Sequence, residues 1–333
     1  MSMVKKLRDR LFQAGVFDAI YLARPRHLTT LAYHRVTDPS VPGFDTFKPN
    51  VSATPAAFAE QMDFVRQRFN IVAMEDVIAW LRGVGSLPVR PMLITFDDGY
   101  RDNLTNALPV LQQRNLPATI FLTTGCVESA EPFWWDLVAC CFAHTPWQAA
   151  DLPLIGWQQW SNEAERTLTM GRLIDRLRSI PNDAKQAAVQ QLPRLLEVTI
   201  SDHRFAELFL TWEEVRAMTR HRITMGAHTH THPIMTRIPL EQARAEAVKS
   251  RECIEAQTGQ LVHSFAYTNG LEADFNPTVQ AMLRQEGFVA AFTLLPGAAS
   301  LARVRQEPMA IRRILVSHKD TLPRFAAKLV GRP

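Results

Sequence analysis

Two adjacent carboxylates and a cluster of three imidazoles are the residues of this sequence best equipped to do chemistry. The carboxylates are Asp97 and Asp98, within Thr95-Phe96-Asp97-Asp98-Gly99-Tyr100. Neighbouring carboxylates ionise together readily only where a cation or hydrogen-bond donors stabilise them. In an extended strand they point to opposite faces, and a turn at Gly99 could bring both to one place. The plain alternative is a solvated strand–helix junction with an aspartate as N-cap. The imidazoles are His228, His230 and His232, three of the ten histidines, in Gly226-Ala227-His228-Thr229-His230-Thr231-His232-Pro233. Imidazole and carboxylate are natural ligands of zinc and other first-row divalent ions, and two histidines with one carboxylate leave positions open for water and substrate. Along a strand all three rings would share one face. Around a helical turn His228 and His232 would share it without His230. Pro233 disfavours a helical His232, so a strand end followed by a tight loop is expected. A third feature, Ser264-Phe265-Ala266-Tyr267-Thr268-Asn269-Gly270, ends in an Asn-Gly turn signal. A turn beside a site can also present a backbone N–H to a developing oxyanion.

All three features fall where strands should end. Short apolar runs predict strands over about 28–34, 91–96, 118–122, 223–227, 262–267, 289–293 and 311–316. Helices alternate with them. Thr54-Pro55 supplies an N-cap and a first-turn proline, and Thr211-Trp212-Glu213-Glu214 matches a capping box. Pro239 opens a helix to about Thr258, and a terminal helix holds Phe325, Leu329 and Val330. Repeated strand–helix units argue for α/β architecture with a mainly parallel sheet. The rhythm breaks between about 125 and 210, a stretch holding Trp134, Trp135, Trp147, Trp157 and Trp160, five of the seven tryptophans. It is too apolar for a linker and reads as a helical insertion. Its tryptophans suit core packing, with Phe133-Trp134-Trp135-Asp136 the best candidate for stacking on a sugar. Residues 1–27 carry an amphipathic helix to about residue 22, with Leu7, Leu11, Ala14 and Phe17 at helical spacing and Lys5, Lys6, Arg8 and Arg10 at its start. Such a helix can pack on the domain or lie on an anionic membrane surface.

Composition bounds what else the chain can be. It has 333 residues, 37 Lys plus Arg against 33 Asp plus Glu, and 47% hydrophobic side chains. That excludes wholesale disorder. A net charge of +4 with no dense basic run gives no nucleic-acid footprint. No apolar run approaches the ~20 residues that span a bilayer, and the N-terminus has no apolar segment with a cleavage site. Cys126, Cys140, Cys141 and Cys253 have no paired spacing and read as reduced, buried hydrophobes. The expected location is cytoplasmic, at or near the inner face of the membrane. No G-x-G-x-x-G follows a strand, so a dinucleotide-binding oxidoreductase is unsupported.

Together these residues resemble the polysaccharide deacetylase family, the NodB-homology group of carbohydrate esterases. Thr95 to Gly99 looks like the family's first motif, and His228-Thr229-His230-Thr231-His232-Pro233 like its second. Phe265 to Gly270 is similar to a third-motif variant Phe-Ala-Tyr-Pro-x-Gly, with Thr268 in place of proline. Leu31-Ala32-Tyr33-His34-Arg35-Val36 resembles the opening of a subgroup linked to exopolysaccharide and lipopolysaccharide assembly. The resemblance implies a distorted (β/α) barrel of fewer than eight strands over 28–333, with the insertion at about 125–210. It implies a divalent metal, Zn2+ first among Co2+, Ni2+, Mn2+ and Fe2+, held by Asp98, His228 and His232. Asp97 would be the catalytic base, and the turn at Asn269 would offer a backbone contact to the oxyanion. Trp135 and Tyr100 would touch the substrate. In many members the third motif carries an arginine that holds the base. Ala266 stands there, so Arg313, or less readily Arg312, is expected to supply that charge. The proton donor is His318, displaced by one residue from the usual Leu-x-His pattern, or His34. The implied activity is removal of N-acetyl groups from an amino sugar in a glycan or its lipid-linked precursor. The alternatives are a carbohydrate O-acetyl esterase and a non-catalytic, metal-dependent glycan-binding protein.

Overall fold

A computed structural model describes residues 3–201 and 203–331. The strands are β1 (His27–Tyr33), β2 (Arg35–Val36), β3 (Val51–Ala53), β4 (Asn70–Ile71), β5 (Pro91–Asp98), β6 (Ala118–Leu122), β7 (Ala149–Leu152), β8 (Gly156–Gln159), β9 (Ile223–Ala227), β10 (Ser264–Ala266), β11 (Ala290–Phe292), β12 (Ala299–Ser300) and β13 (Ile314–Leu315). The main sheet runs β11-β10-β9-β6-β5-β1, all parallel, with β13 also parallel to β1. Ile311 bridges Phe292, the last residue of β11, and Ile314 pairs with Leu31 of β1. The stretch 311–315 therefore joins the two ends of the sheet. Among the described residues, six strands and this stretch make a distorted β/α barrel of fewer than eight strands, as the sequence led us to expect. The antiparallel β12 lies beside the start of β1, and the short β4 beside the start of β5.

Parallel strands covered by helices read as continuous apolar runs, and β5 and β6 are buried at every position. The register lines up their carboxyl ends: Asp98 pairs with Leu122, and Leu122 with Ala227. His228 is thus the first residue past the rim. Around the sheet lie α3 (Pro55–Arg66), α5 (Leu108–Gln113), α9 (Trp212–Thr219), α10 (Leu240–Thr258) and α13 (Leu322–Leu329), whose apolar faces close the core with Phe58, Leu111, Val215, Ile254 and Phe325. Thr54 caps α3, and Thr211 with Glu214 forms a capping box on α9, as their spacing predicts.

Three sequence expectations need correction. The N-terminal helix is two helices, α1 (Met3–Gln13) and α2 (Val16–Leu22), because Gly15 is left-handed (φ 69°) and stops the first. The strands expected over 262–267 and 289–293 shrink to β10 and β11, which leaves His263 outside a strand against Arg82. The last strand is interrupted between Ile311 and Ile314, where the Arg313 N–H bonds the Leu295 carbonyl instead of a strand neighbour. No helix among the described residues is long and apolar enough to cross a membrane.

The chain divides into two compact units. The barrel unit is Met1–Asp38, Pro49–Val127 and Leu210–Pro333; the second unit is Pro39–Lys48 with Glu128–Phe209. The second unit contains α6 (Trp134–His144), the β7–β8 hairpin, α7 (Glu163–Arg178) and α8 (Asn182–Leu195). Buried Phe133, Trp135, Phe142, Trp160, Leu173 and Leu192 give it a core of its own. The buried Asp136 carboxylate accepts the Phe47 N–H at 2.8 Å and so holds the upstream Pro39–Lys48 stretch to α6.

Candidate active site and metal centre

The two carboxylates reach one place because β5 breaks its alternation at the last residue. Asp98 is left-handed (φ 79°), as is Gly99 (φ 86°). A side chain at position 99 would sit 2.8 Å from Leu122 Cδ2, so only glycine fits. Both carboxylates are buried. They are served by different partners. The Arg313 guanidinium forks onto Asp97, with Nη1 to Oδ1 at 2.6 Å and Nη2 to Oδ2 at 2.8 Å. Its Nε–H donates to the Thr293 carbonyl at 3.0 Å, and Nη1 also reaches Thr95 Oγ1 at 3.3 Å. This fork is shut off from water, since Arg313 is fully buried. Burial pushes the Asp97 pKa up, but the Arg313 charge, with His228 and His34, outweighs it and holds the acid below the usual carboxylate range.

Asp98 has no such partner. Neither of its buried oxygens makes a hydrogen bond. Instead the Nε2 atoms of His228 and His232 stand 3.5 and 3.3 Å from Oδ1. His228 Nδ1–H donates to the Ala266 carbonyl at 2.7 Å, which leaves the Nε2 lone pair facing the carboxylate. Burial raises the Asp98 pKa, and the two imidazoles pull it well below the ordinary value. One oxygen and two imidazole nitrogens lie within 4.8 Å of one another. An orphaned buried carboxylate facing two imidazoles is the donor set that a divalent cation satisfies. The residues fit the metal that the sequence implied.

The histidine loop is shaped by two left-handed residues, Thr229 (φ 63°) and His232 (φ 61°). Thr229 Oγ1 accepts the His232 N–H at 3.0 Å. Of the two arrangements left open by the sequence, the loop realises the pairing of His228 with His232, though without a helix. His230 turns away, and its Nδ1 lies 2.9 Å from Thr124 Oγ1. Glu246 of α10 secures the loop, accepting from His230 N–H at 2.8 Å, Thr231 N–H at 2.7 Å and Thr231 Oγ1 at 2.6 Å. Sequence reading missed Glu246, because nothing near it in the chain points to the loop. It also missed the buried Arg35–Asp102 pair at 2.8 Å, in which Asp102 additionally accepts the Val36 N–H.

The remaining expected residues divide. His34 Nε2 lies 4.0 Å from Asp97 Oδ2. His318 is tied to β3, with its N–H and Nδ1 both 3.0 Å from the Val51 carbonyl. Asn269 is left-handed (φ 61°), and its side chain bonds Asp274, which also accepts the Leu271 N–H. The same turn joins the histidine loop through Thr268 Oγ1 and the Pro233 carbonyl. Arg312 reaches the Pro296 carbonyl and makes no ion pair with Asp97. Tyr100 and Trp135 offer no open face to a sugar. Tyr100 is fully buried beneath the Arg35 guanidinium, and Trp135 is stacked on Phe133 at 4.4 Å. Large rings are drawn into cores wherever they can pack. A second cluster of ligand-type groups, Asp45, Cys140 and His144, lies in the other unit. There Arg204 already bonds both Asp45 and His144.

The model of the polysaccharide deacetylase family matches residues 85–291. That stretch includes Asp97, Asp98, His228 and His232 but not His34, Arg313 or His318. The poly-beta-1,6-N-acetyl-D-glucosamine N-deacetylase of Escherichia coli K12 is 23% identical over 282 residues, 84% of this chain and 36% of that protein. The chain therefore spans about a third of the length of this curated relative. The Streptococcus pyogenes deacetylase PplD, solved with acetate, has the same fold at a TM-score of 0.60 and 15% identity, over 92% of this chain and 99% of that one. IcaB from Ammonifex degensii superposes at a TM-score of 0.56 with 20% identity, over 91% of this chain and 97% of that one. With the family's model matched over more than half its length, the chain belongs to the polysaccharide deacetylase family.

Proposed function

We propose that the chain is a metal-dependent hydrolase that removes acetyl groups from N-acetylhexosamine units of a polysaccharide or its oligosaccharide precursor. The observation that carries this reading is the division of labour between the two carboxylates. Arg313 neutralises Asp97, while Asp98 is left to two imidazoles. A family relative named for N-deacetylation of poly-β-1,6-N-acetylglucosamine supports the substrate class. Asp98, His228 and His232 would hold the cation, with zinc the best match to an imidazole and carboxylate set. Bound there, it would supply a Lewis acid for the acetyl carbonyl and a more acidic water.

The chain's own residues do the rest. Asp97, kept ionised by Arg313, takes the proton of the attacking water. A backbone N–H of the turn at Asn269 would contact the developing oxyanion. His34, 4.0 Å from Asp97, gives a proton to the leaving amine; its competitor His318 is anchored to β3 through Nδ1 and forms no ion pair with Asp97 or Asp98. Acetate release from N-acetylglucosamine oligomers tests the reading. It should require a divalent metal, stop with chelator, and be lost in Asp98→Ala together with one bound metal per chain. Free amine in the product separates amide from ester cleavage. Full activity in metal-stripped Asp98→Ala would falsify the site. His34→Ala should lower turnover at least tenfold, with His318→Ala close to wild type; the reverse order would reassign the acid.

We also infer that α1 rests on an anionic membrane surface. Met3, Val4 and Leu7 are exposed on α1 amid Lys5, Lys6, Arg8 and Arg10, the pairing of apolar and basic groups that interfacial helices use. Vesicles containing phosphatidylglycerol should sediment the protein, and Leu7→Glu with Lys6→Glu should release it. Equal binding to neutral vesicles would overturn the charge argument.

A further inference from the structure

The outer face of the β7–β8 hairpin is unlike the rest of the surface. Asp151 is directly opposite Trp157, and Ala149 opposite Gln159. Residues opposed across an antiparallel pair share a face. The other face holds Ala150 and Leu152, both buried. Trp157 is 69% exposed, and Trp147, just before β7, is 46% exposed. Single exposed apolar side chains are ordinary, but Trp157 shares its face with a lone carboxylate, Asp151. Rigid support lies below. Trp160 is buried against Phe142, and its Nε1–H donates to the Trp147 carbonyl at 3.1 Å. From Thr145 to Asn162 the chain has no Lys or Arg and a single carboxylate, Asp151, although the whole protein is net positive. A polyanion, whether nucleic acid or anionic lipid, finds no counter-charge on this face.

We propose that this face of the second unit is a glycan-binding strip that prefers partly de-N-acetylated polymer. It rests on the glycan-active reading above for its substrate class. The apolar face of a pyranose stacks on Trp157, and the glucosamine ammonium produced by deacetylation is cationic and meets both the indole face and Asp151. Gln159, on the same face, supplies an amide group for hydroxyls. A strip of this kind would hold polymer that the same molecule has begun to deacetylate.

The experiment uses the full chain carrying Asp97→Asn, so that sugar is not turned over. The probes are an N-acetylglucosamine hexamer and the same hexamer half de-N-acetylated, titrated calorimetrically. The parent should bind the half-deacetylated hexamer more tightly. Trp157→Ala should weaken that binding about threefold to fivefold or more, the scale of an exposed cation–π contact. Asp151→Asn should narrow the difference between the two hexamers, an effect of up to about fivefold for an exposed charge pair. Unchanged titrations in both variants would overturn the proposal. So would conversion of a dimer to a monomer by Trp157→Ala with glycan binding unaltered, which would make the face an interface between copies. Acetate release by the otherwise wild-type Trp157→Ala chain from short oligomers should match wild type. If wild type releases no acetate, the catalytic reading fails while the titrations still decide the strip.

Discussion

At the scale of single residues, the site depends on how a buried acid is kept charged. Asp97 is surrounded by core, and burial alone would hold it protonated near neutrality. Arg313 reverses this through two short hydrogen bonds. Removing its charge therefore raises the Asp97 pKa, and the acidic limb of kcat/KM moves to higher pH. Arg313→Ala leaves a buried carboxylate unpaired, a loss of about 3–5 kcal/mol in such pairs, so milder variants carry the test. Arg313→Lys keeps the charge without the fork and should show a smaller shift in the same direction. A pH profile unmoved in a folded Arg313→Lys or Arg313→Gln protein would show that Asp97 does not depend on it. The pairing was legible in the sequence only by default: Ala266 stood where an arginine is usual, and Arg313 lay near the end of another strand. Spacing alone left the choice between His230 and His232 open, because it is made by backbone torsions at Thr229 and His232; only the family resemblance pointed to His232. Tyr100 and Trp135 misled for a simpler reason. A ring near a motif in sequence is as free to enter the core as to line a cleft.

At the scale of elements, the strands place ligands and the loops aim them. The apolar runs of β5, β6 and β9 were readable, and their parallel register puts Asp98 beside the start of the histidine loop. What could not be read was the support behind that loop. Glu246 lies on α10, sixteen positions from His230, and holds two backbone N–H groups and a hydroxyl. Glu246→Ala should leave the helix intact but loosen the aim of His228 and His232. Metal affinity should fall about tenfold to a hundredfold, as when other outer partners of metal ligands are removed. Equilibrium dialysis against zinc measures it, and an unchanged affinity would mean the loop holds its own shape. At the β5 terminus, Gly99→Ala must accept both a positive φ and a Cβ 2.8 Å from Leu122. A loss of at least ~1 kcal/mol is expected, read as a lower melting temperature. The barrel strands 264–266 and 290–292 were overestimated at both ends, since apolar character continues into the flanking loops, where Val262, Tyr267 and Phe288 are also buried.

At the scale of the whole molecule, two compact units and one buried charge cluster set the response to pH and metal. The sequence marked the Trp-rich stretch but not that Pro39–Lys48 joins it, because that link is made by Asp136 and the Phe47 backbone over a long separation. Asp97 and Asp98 both titrate below their ordinary range in the fold. Unfolded carboxylates take up protons near pH 4, before the folded ones do. Their contribution to stability is therefore present above about pH 4 and lost as pH falls further. These groups lie in the barrel unit, as do the histidines proposed to hold the metal. A cation that binds only the folded barrel stabilises it by about 2.7 kcal/mol at a hundred times its Kd. The second unit has its own core and its own ionic cluster of Asp45, His144 and Arg204. Calorimetry should then resolve two transitions. Chelator should lower only one of them, and lowering the pH below about 4 should bring that same transition down further. Asp45→Ala should move the other and leave the chelator-sensitive one in place. A single transition shifted alike by chelator and by Asp45→Ala would mean that the two units unfold as one, and that metal binding stabilises the chain as a whole.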